Sequence, residues 1–235
     1  MTNANKLIQV AEKHIDETYV LGARVPMANP KWSGPWDCAE FVSWCVFQVT
    51  GKLFGCRPFN PVSPDSADAY TGYWAQDSKV HNARISIEVA AGTAGAILLR
   101  EPPGGGVPGH IVISLGDGRT IEAMNSKNGV CYGKVVNRRW DYGILVPGID
   151  IGVAAPFAFT EPKMVFRIRE TFMTGPVVKR MQKALKEGGY SPGPIDGVFG
   201  YQTSAAVQAF QVAKKLVPDG EVGPATARAL GISLE

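Results

Sequence analysis

Apolar positions near the start of the chain fall at helical spacing. Leu7, Ile8, Val10, Ala11 and Ile15 predict a helix within residues 4–17. The segment Tyr19–Ala23 follows, then a loop rich in proline, glycine and tryptophan that runs to Cys38. Phe41, Val42, Trp44 and Cys45 predict an amphipathic helix over about 38–50, stopped by Gly51. The proline-rich stretch 55–66 reads as a loop, and a helix near Ser66–Gln76 would take Asp65 or Ser63 as its cap. Gly95–Arg100 is a continuous apolar run, the pattern of a buried strand. A Pro/Gly loop over 102–106 leads to His110. Strands are predicted over 110–115 and 119–124, joined by the turn Gly116-Asp117-Gly118-Arg119, with others through 130–137 and 142–146. The sum is an α+β domain, a small antiparallel sheet packed against helices.

Past residue 147 the pattern changes. Pro147 to Pro162 is apolar, weakly periodic and poor in charge. It reads as an interdomain linker, with a last strand of the first domain as the alternative. The expected organisation is a first domain over 1–150, a linker over 151–163 and a second domain over 164–235. That last segment echoes itself: Asp196-Gly197-Val198-Phe199-Gly200-Tyr201-Gln202-Thr203 and Asp219-Gly220-Glu221-Val222-Gly223-Pro224-Ala225-Thr226 both read D-G-x-x-G-x-x-T. Each Asp-Gly predicts a turn, and each Thr a helix start where its hydroxyl serves the free N–H groups. Val177, Val178, Met181 and Leu185 predict one helix, ended by Gly188-Gly189. Ala206, Val207, Phe210 and Val212 predict another over 203–215, and a third runs over 226–230. This is a three-helix bundle.

Composition narrows the function classes. The chain has 235 residues with a net charge of +3, too little to argue for nucleic acid and mildly suited to an anionic polymer. No apolar run approaches a membrane span. The N-terminus lacks the apolar stretch and cleavage site of a secretory signal. Cys38 and Cys45 lie ~10 Å apart on one helix, too far to bridge; a Cys56–Cys131 pairing stays open. The cysteines lack zinc-ligand spacing and only three histidines are present, so neither a metal nor a cofactor is expected.

The candidate chemistry is nucleophilic. Cys38 follows a Gly-Pro-Trp-Asp turn and opens a helix, where backbone N–H groups favour a thiolate. His110 opens a strand after Gly109, and the following hairpin brings Glu122 back beside it. Cysteine, then histidine, then a polar orienting group is the order of a papain-like site. Asn125 is the alternative third residue. Tyr19 is a candidate oxyanion donor, or a core aromatic. Trp36, Asp37 and Asn125 are the candidates for substrate contact. Cys45, Cys56 and Cys131 read as packed small hydrophobes.

Two resemblances follow from these motifs. The C-terminal segment resembles the peptidoglycan-binding domain 1 family, through Val178-Lys179-Arg180-Met181-Gln182, Leu185, Gly189-Tyr190, Ile195–Gly200, Thr203, Ala206–Gln211, Asp219–Thr226 and Leu230. The N-terminal segment resembles the NlpC family of papain-like cell-wall cysteine peptidases, with the CHAP amidases related. Its D-C-S-G-x-V signature is matched by Asp37-Cys38-Ala39-Glu40-Phe41-Val42, its G-H-V-x-I-x-L-G-D-G-R by Gly109–Arg119, and its P-Y-V-x-G-G by Thr18–Ala23. The departures are Ala39-Glu40 for Ser-Gly, Gly95-Ala96 for Gly-Asp, and Glu122 where the family usually has His and sometimes Asn or Gln. Glu40 would raise the thiol's pKa or face solvent.

The resemblance implies a peptidoglycan hydrolase, an endolysin-like thiol protease that cuts the D-glutamyl–diaminopimelate amide of the stem peptide. Cys38 would be the nucleophile, His110 the base, Glu122 the orienting group, and Tyr19 with the Cys38 N–H the oxyanion site. Alternatives are an N-acetylmuramoyl-L-alanine amidase using the same site, and a non-catalytic wall-binding protein. The expected partner is cell-wall peptidoglycan, with no nucleic acid and no membrane, and a monomer acting on the wall or periplasm after phage-type release or dedicated secretion.

Overall fold

The computed structural model describes residues 3–59, 63–102, 109–151, 157–158, 165–169 and 171–235. The chain divides into two compact units, one drawn mainly from the residues up to 159 and one mainly from those beyond.

In the first unit α1 spans Asn3–Glu12 and α2 Cys38–Thr50. Then come β1 (Cys56–Pro58), β2 (Ala67–Ala69), α3 (Thr71–Val80), β3 (Arg84–Ile85), α4 (Ile87–Ala91) and β4 (Ala94–Arg100). The last strands are β5 (His110–Leu115), β6 (Arg119–Asn125), β7 (Gly129–Lys134) and β8 (Tyr142–Ile144). Among the described residues six strands form an antiparallel sheet in the order β3-β8-β4-β5-β6-β7. Helices cover both faces. Ile97 and Leu99 of β4, with Ile111 and Ile113 of β5, pack against Leu7 of α1 and Phe41 and Val42 of α2. Leu98 and Val112, on the alternate face, pack against Ile87 and Ala90 of α4 and against Trp140. Burial on both faces is why these strands read as unbroken apolar runs.

Nine successive residues of α2, Cys38 to Val46, are buried, so the helix is central rather than amphipathic as the sequence pattern implied. A helix apolar all round belongs in a core. Its ends follow cap chemistry. Asp37 accepts a bond from the Glu40 N–H at 2.8 Å, and Gly51 takes the left-handed conformation that returns its N–H to the Phe47 carbonyl.

Two expectations change. The stretch read as a loop over 55–66 holds β1, paired with β2, and a 3-10 turn at Pro64–Ser66. The following helix therefore starts at Thr71, with no side-chain cap from Ser63 or Asp65. Short β3 and α4 were not foreseen. The loop expected over 102–106 and most of the linker expected over 151–163 lie outside the described residues. All four cysteines are free thiols.

The second unit contains α5 (Pro176–Glu187), α6 (Tyr201–Ala213) and α7 (Pro224–Leu230) around Val178, Met181, Leu185, Phe199, Val207, Phe210 and Val222. The threonines do not cap as expected; Gly200 and Gly223 hold the N-cap positions without side-chain bonds. Thr203 and Thr226 instead belong to two matching polar locks. The Gln182 amide nitrogen donates to Asp196 Oδ1, the Val198 carbonyl and Thr203 Oγ1 at 2.9, 3.1 and 3.2 Å, and its oxygen accepts from the Gly197 N–H at 2.8 Å. Gln211 repeats the set on Asp219, the Glu221 carbonyl, Thr226 Oγ1 and the Gly220 N–H at 2.6, 2.9, 3.1 and 2.9 Å. The sequence echo is thus a repeated loop, each copy fixed by a glutamine from the preceding helix.

Candidate active site

Cys38 is the first residue of α2 and is buried. The backbone N–H groups of Ile111 and Ala39 favour its thiolate, as does the Arg100 guanidinium. Burial and the neighbouring Asp37 carboxylate act the other way and prevail, pushing the thiol up to about 12. The expected helix-start activation is therefore present but outweighed. Burial thus favours the neutral thiol, and ionising it requires a base.

The influence of Ile111 places the sulfur at the beginning of β5, where His110 is the first strand residue. His110 is buried, and its Nε2 lies 2.6 Å from Glu122 Oε2. Nε2 is thus the nitrogen engaged by the carboxylate, and Nδ1 is the ring's other nitrogen. Glu122 is completely buried, and its other oxygen accepts from the Thr120 hydroxyl at 2.8 Å. Register explains the pairing. Ile113 opposes Ile121, which puts Glu122 opposite Val112 and diagonal to His110 on one face of the sheet. A diagonal pair needs long side chains to meet. The Trp140 ring lies over the imidazole at 6.2 Å between centroids.

Two glycines make the room. A side chain at Gly133 of β7 would collide with Glu122 Oε1. One at Gly109 would collide with Thr71 Oγ1 and the Arg100 carbonyl, displacing the residue that precedes His110. Both are close approaches that no other residue permits.

The remaining candidates divide. The Tyr19 hydroxyl is raised above its usual range by burial and then by Cys38 and Asp37, which places it beside the nucleophile. Asp37 gives both carboxylate oxygens to backbone N–H groups, Oδ1 to Glu40 and Oδ2 to Gly22 at 3.2 Å. It caps the helix and ties the Leu21–Gly22 turn to it. Trp36, expected at the substrate, has no exposed surface. It packs edge-on against His14, Phe41 and Trp44 and donates to Glu17, so it is a core residue. Asn125, 1% exposed, closes the β6–β7 turn by accepting the Lys127 and Asn128 N–H groups. Its oxygen is engaged there, and the imidazole pairs with Glu122. Glu40 does not face solvent. It is fully buried, Oε1 accepts from the Ala69 N–H at 3.0 Å, and Oε2 has no hydrogen-bond partner among the described residues.

Sequence reasoning missed Arg100. It ends the apolar run of β4, is 3% exposed and opposes His110 in register. A cation closing a buried strand was the available signal. Among the described residues no three of His, Cys, Asp and Glu cluster in a way that could hold a metal ion.

Residues 174–230 match the family described as a putative peptidoglycan binding domain. No curated protein matches the chain. Among solved structures, the chain is similar to the NlpC/p60 domain of the peptidoglycan hydrolase SagA, with 25% identity and a TM-score of 0.43 over 61% of this chain and 98% of that one. It is similar to the peptidoglycan hydrolase RipB from Mycobacterium tuberculosis at 18% identity and a TM-score of 0.42, over 63% and 65% of the two chains. A third likeness is the P60 domain of an antigen from M. avium subspecies paratuberculosis, at 20% identity and a TM-score of 0.39 over 60% and 93%.

Proposed function

We propose that the protein is a peptidoglycan hydrolase that cleaves a stem-peptide amide with Cys38 as nucleophile, and that its C-terminal module holds it on the wall. The observation that carries this reading is the buried His110–Glu122 hydrogen bond of 2.6 Å at the start of β5, the strand whose next residue, Ile111, favours the Cys38 thiolate through its backbone. The match of residues 174–230 to a peptidoglycan-binding family supports the choice of polymer.

His110 Nδ1 takes the Cys38 proton as the thiol attacks the amide carbonyl. Burial favours the neutral thiol, so a base must take its proton for the sulfur to attack. The imidazolium so formed is stabilised by the Glu122 carboxylate, and the sulfur's developing charge by Arg100 and the α2 N-terminus. The carbonyl oxygen, now negative, is bound by the Cys38 N–H and the Tyr19 hydroxyl. Burial keeps that hydroxyl protonated, as a donor must be. His110 then protonates the leaving amine, and water releases the acyl group. The bond proposed is the D-glutamyl–diaminopimelate amide, which is what the resemblance to the NlpC family implies.

The test is digestion of purified peptidoglycan with the wild-type chain and with Cys38→Ala, followed by mass spectrometry of the new termini. New diaminopimelate amines that depend on Cys38 are expected. New L-alanine amines would make the enzyme an amidase. Wall binding without any new terminus would make it a binding protein.

A further inference from the structure

The two locked loops of the second unit provide an internal comparison. Both have the same glutamine bonds, the same Asp-Gly turn and the same glycine N-cap. Whatever only one of them carries is not needed to build the loop. The first copy has Tyr201-Gln202 between its last glycine and threonine; the second has Pro224-Ala225. Proline at the first helical position is a structural choice. Tyrosine and glutamine there serve no such purpose, and both side chains are exposed.

At the first copy a cavity of about 290 Å³ opens to solvent, lined by Phe172, Pro192, Pro194, Asp196, Tyr201 and Gln202 among others. Tyr201 is 51% exposed, and its ring is held edge-on to Phe172, with centroids 5.5 Å apart and planes at 90°. Phe172 therefore fixes the ring while leaving much of its surface bare. Asp196 is fixed too. Its Oδ1 accepts from Gln182 and from the Val198 N–H, and the Gln182 bond holds its carboxyl below the usual carboxylate range. The site combines a rigid aromatic surface, an ionised carboxylate and a side-chain amide in one concavity. Its size lies at the lower end of the ~300–1,000 Å³ usual for ligand sites.

We propose that this cavity is the wall-binding site of the module, that it takes a single acetamido sugar of the glycan strand, and that Tyr201 is the stacking surface. The inference rests on the wall-binding reading of residues 174–230. A pyranose ring presents C–H groups on one face and hydroxyl and acetamido groups at its edge. The face suits the electron-rich face of an aromatic ring, and the edge suits Asp196 and Gln202. Stem peptides offer no such flat apolar face. The second loop, with Pro224-Ala225 in place of Tyr201-Gln202, has neither the ring nor the amide at these positions.

The experiment measures binding of the full chain, blocked by Cys38→Ala, to insoluble peptidoglycan, with two soluble competitors: glycan strands stripped of peptide, and isolated stem peptides. Tyr201→Ala is expected to weaken binding about tenfold or more, and Tyr201→Phe, which keeps the ring, to bind like its parent. Unchanged unfolding midpoints separate lost contact from lost fold. Stripped glycan should compete and stem peptides should not. Tyr201→Ala binding as well as its parent would overturn the assignment of the cavity. Competition by peptide alone would overturn the sugar. A parent chain that did not bind peptidoglycan at all would remove the wall-binding reading itself, and the cavity proposal with it.

Discussion

At Cys38 opposing fields meet on one sulfur. The start of α2 and Arg100 pull toward the thiolate; burial and Asp37 push away from it, and burial wins. Alkylation of Cys38 by iodoacetamide should therefore be slow at neutral pH and rise only in strongly alkaline solution. A plateau below pH 7 would show a preformed thiolate. Removing the sulfur in Cys38→Ala should abolish cleavage, and His110→Ala should lower kcat ~10²–10⁴-fold. The double variant should be no worse than Cys38→Ala, because the two groups act as a unit. Glu122→Gln should cost less than Glu122→Ala, since an amide oxygen still accepts from Nε2. Steady-state rates on a soluble muropeptide would check all four. A second consequence concerns stability. Burial raises Glu40 to about 8 and Asp37 to about 6. The folded chain thus keeps protons that the unfolded chain gives up near the usual carboxylate range. Stability contributed by these groups is greatest in acid and declines as pH climbs, through about 6 for Asp37 and through about 8 for Glu40. Glu40→Gln keeps an acceptor for the Ala69 N–H and cannot ionise. Denaturant unfolding between pH 6 and 9 should show the decline flattened in the variant, by at most ~2–4 kcal/mol. Identical pH profiles would mean that Glu40 is hydrated in solution.

At the scale of elements, what was legible in the sequence depended on how local its cause is. The helix start at Cys38, the strand starts at Ala94 and His110 and the hairpin carrying Glu122 follow from turns and apolar runs, and they lie where the pattern put them. The catalytic candidates were found because a Gly/Pro turn and a Gly-His strand start mark them within a few residues. The misreadings came from long-range partners. β1 forms in a proline-rich stretch because β2 pairs with it, a contact across about ten residues that no local propensity encodes. Trp36 reads as a loop aromatic and is buried because three rings surround it. Arg100 is set beside the site by register with β5. Thr203 and Thr226 read as caps, yet each is tied to a glutamine, 21 and 15 residues away in sequence. Those locks can be tested. Gln182→Ala leaves the Gly197 N–H without its partner in a site where the glutamine is 1% exposed, while the Val198 carbonyl keeps the Gly200 N–H. It should cost about 1–3 kcal/mol, as should Gln211→Ala, because a buried group left unpaired bears its full desolvation cost. A loss under about 0.5 kcal/mol in denaturant unfolding would show that water replaces the amide. Gly133→Ala makes the opposite kind of change, adding a methyl against Glu122. Activity should fall along with stability, since the carboxylate must move away from His110.

For the whole molecule, the catalytic candidates and the polar locks belong to different cores. Every residue of the core around α2 and the sheet lies at or before Phe157. Every residue of the core around α5, α6 and α7 lies at or after Phe166. Among the described residues each apolar cluster draws on one segment alone, so each segment has a hydrophobic core of its own, as a domain does. A chain ending near residue 163 should therefore keep Cys38, His110, Glu122 and Tyr19 in place. Its kcat on a small soluble muropeptide should match that of the full chain, because tethering alters how often the site meets the polymer and leaves the barrier on a bound peptide unchanged. On whole sacculi the rate of the shortened chain should fall ~10²-fold or more at low enzyme concentration, and recover as concentration rises. Tyr201→Ala in the full chain should show the same split in milder form: an unaltered rate on soluble substrate and a reduced one on sacculi. Equal losses on both substrates, with the shortened chain still cooperatively folded, would mean that the second unit completes the catalytic site, and the separation of chemistry from wall binding would then be wrong.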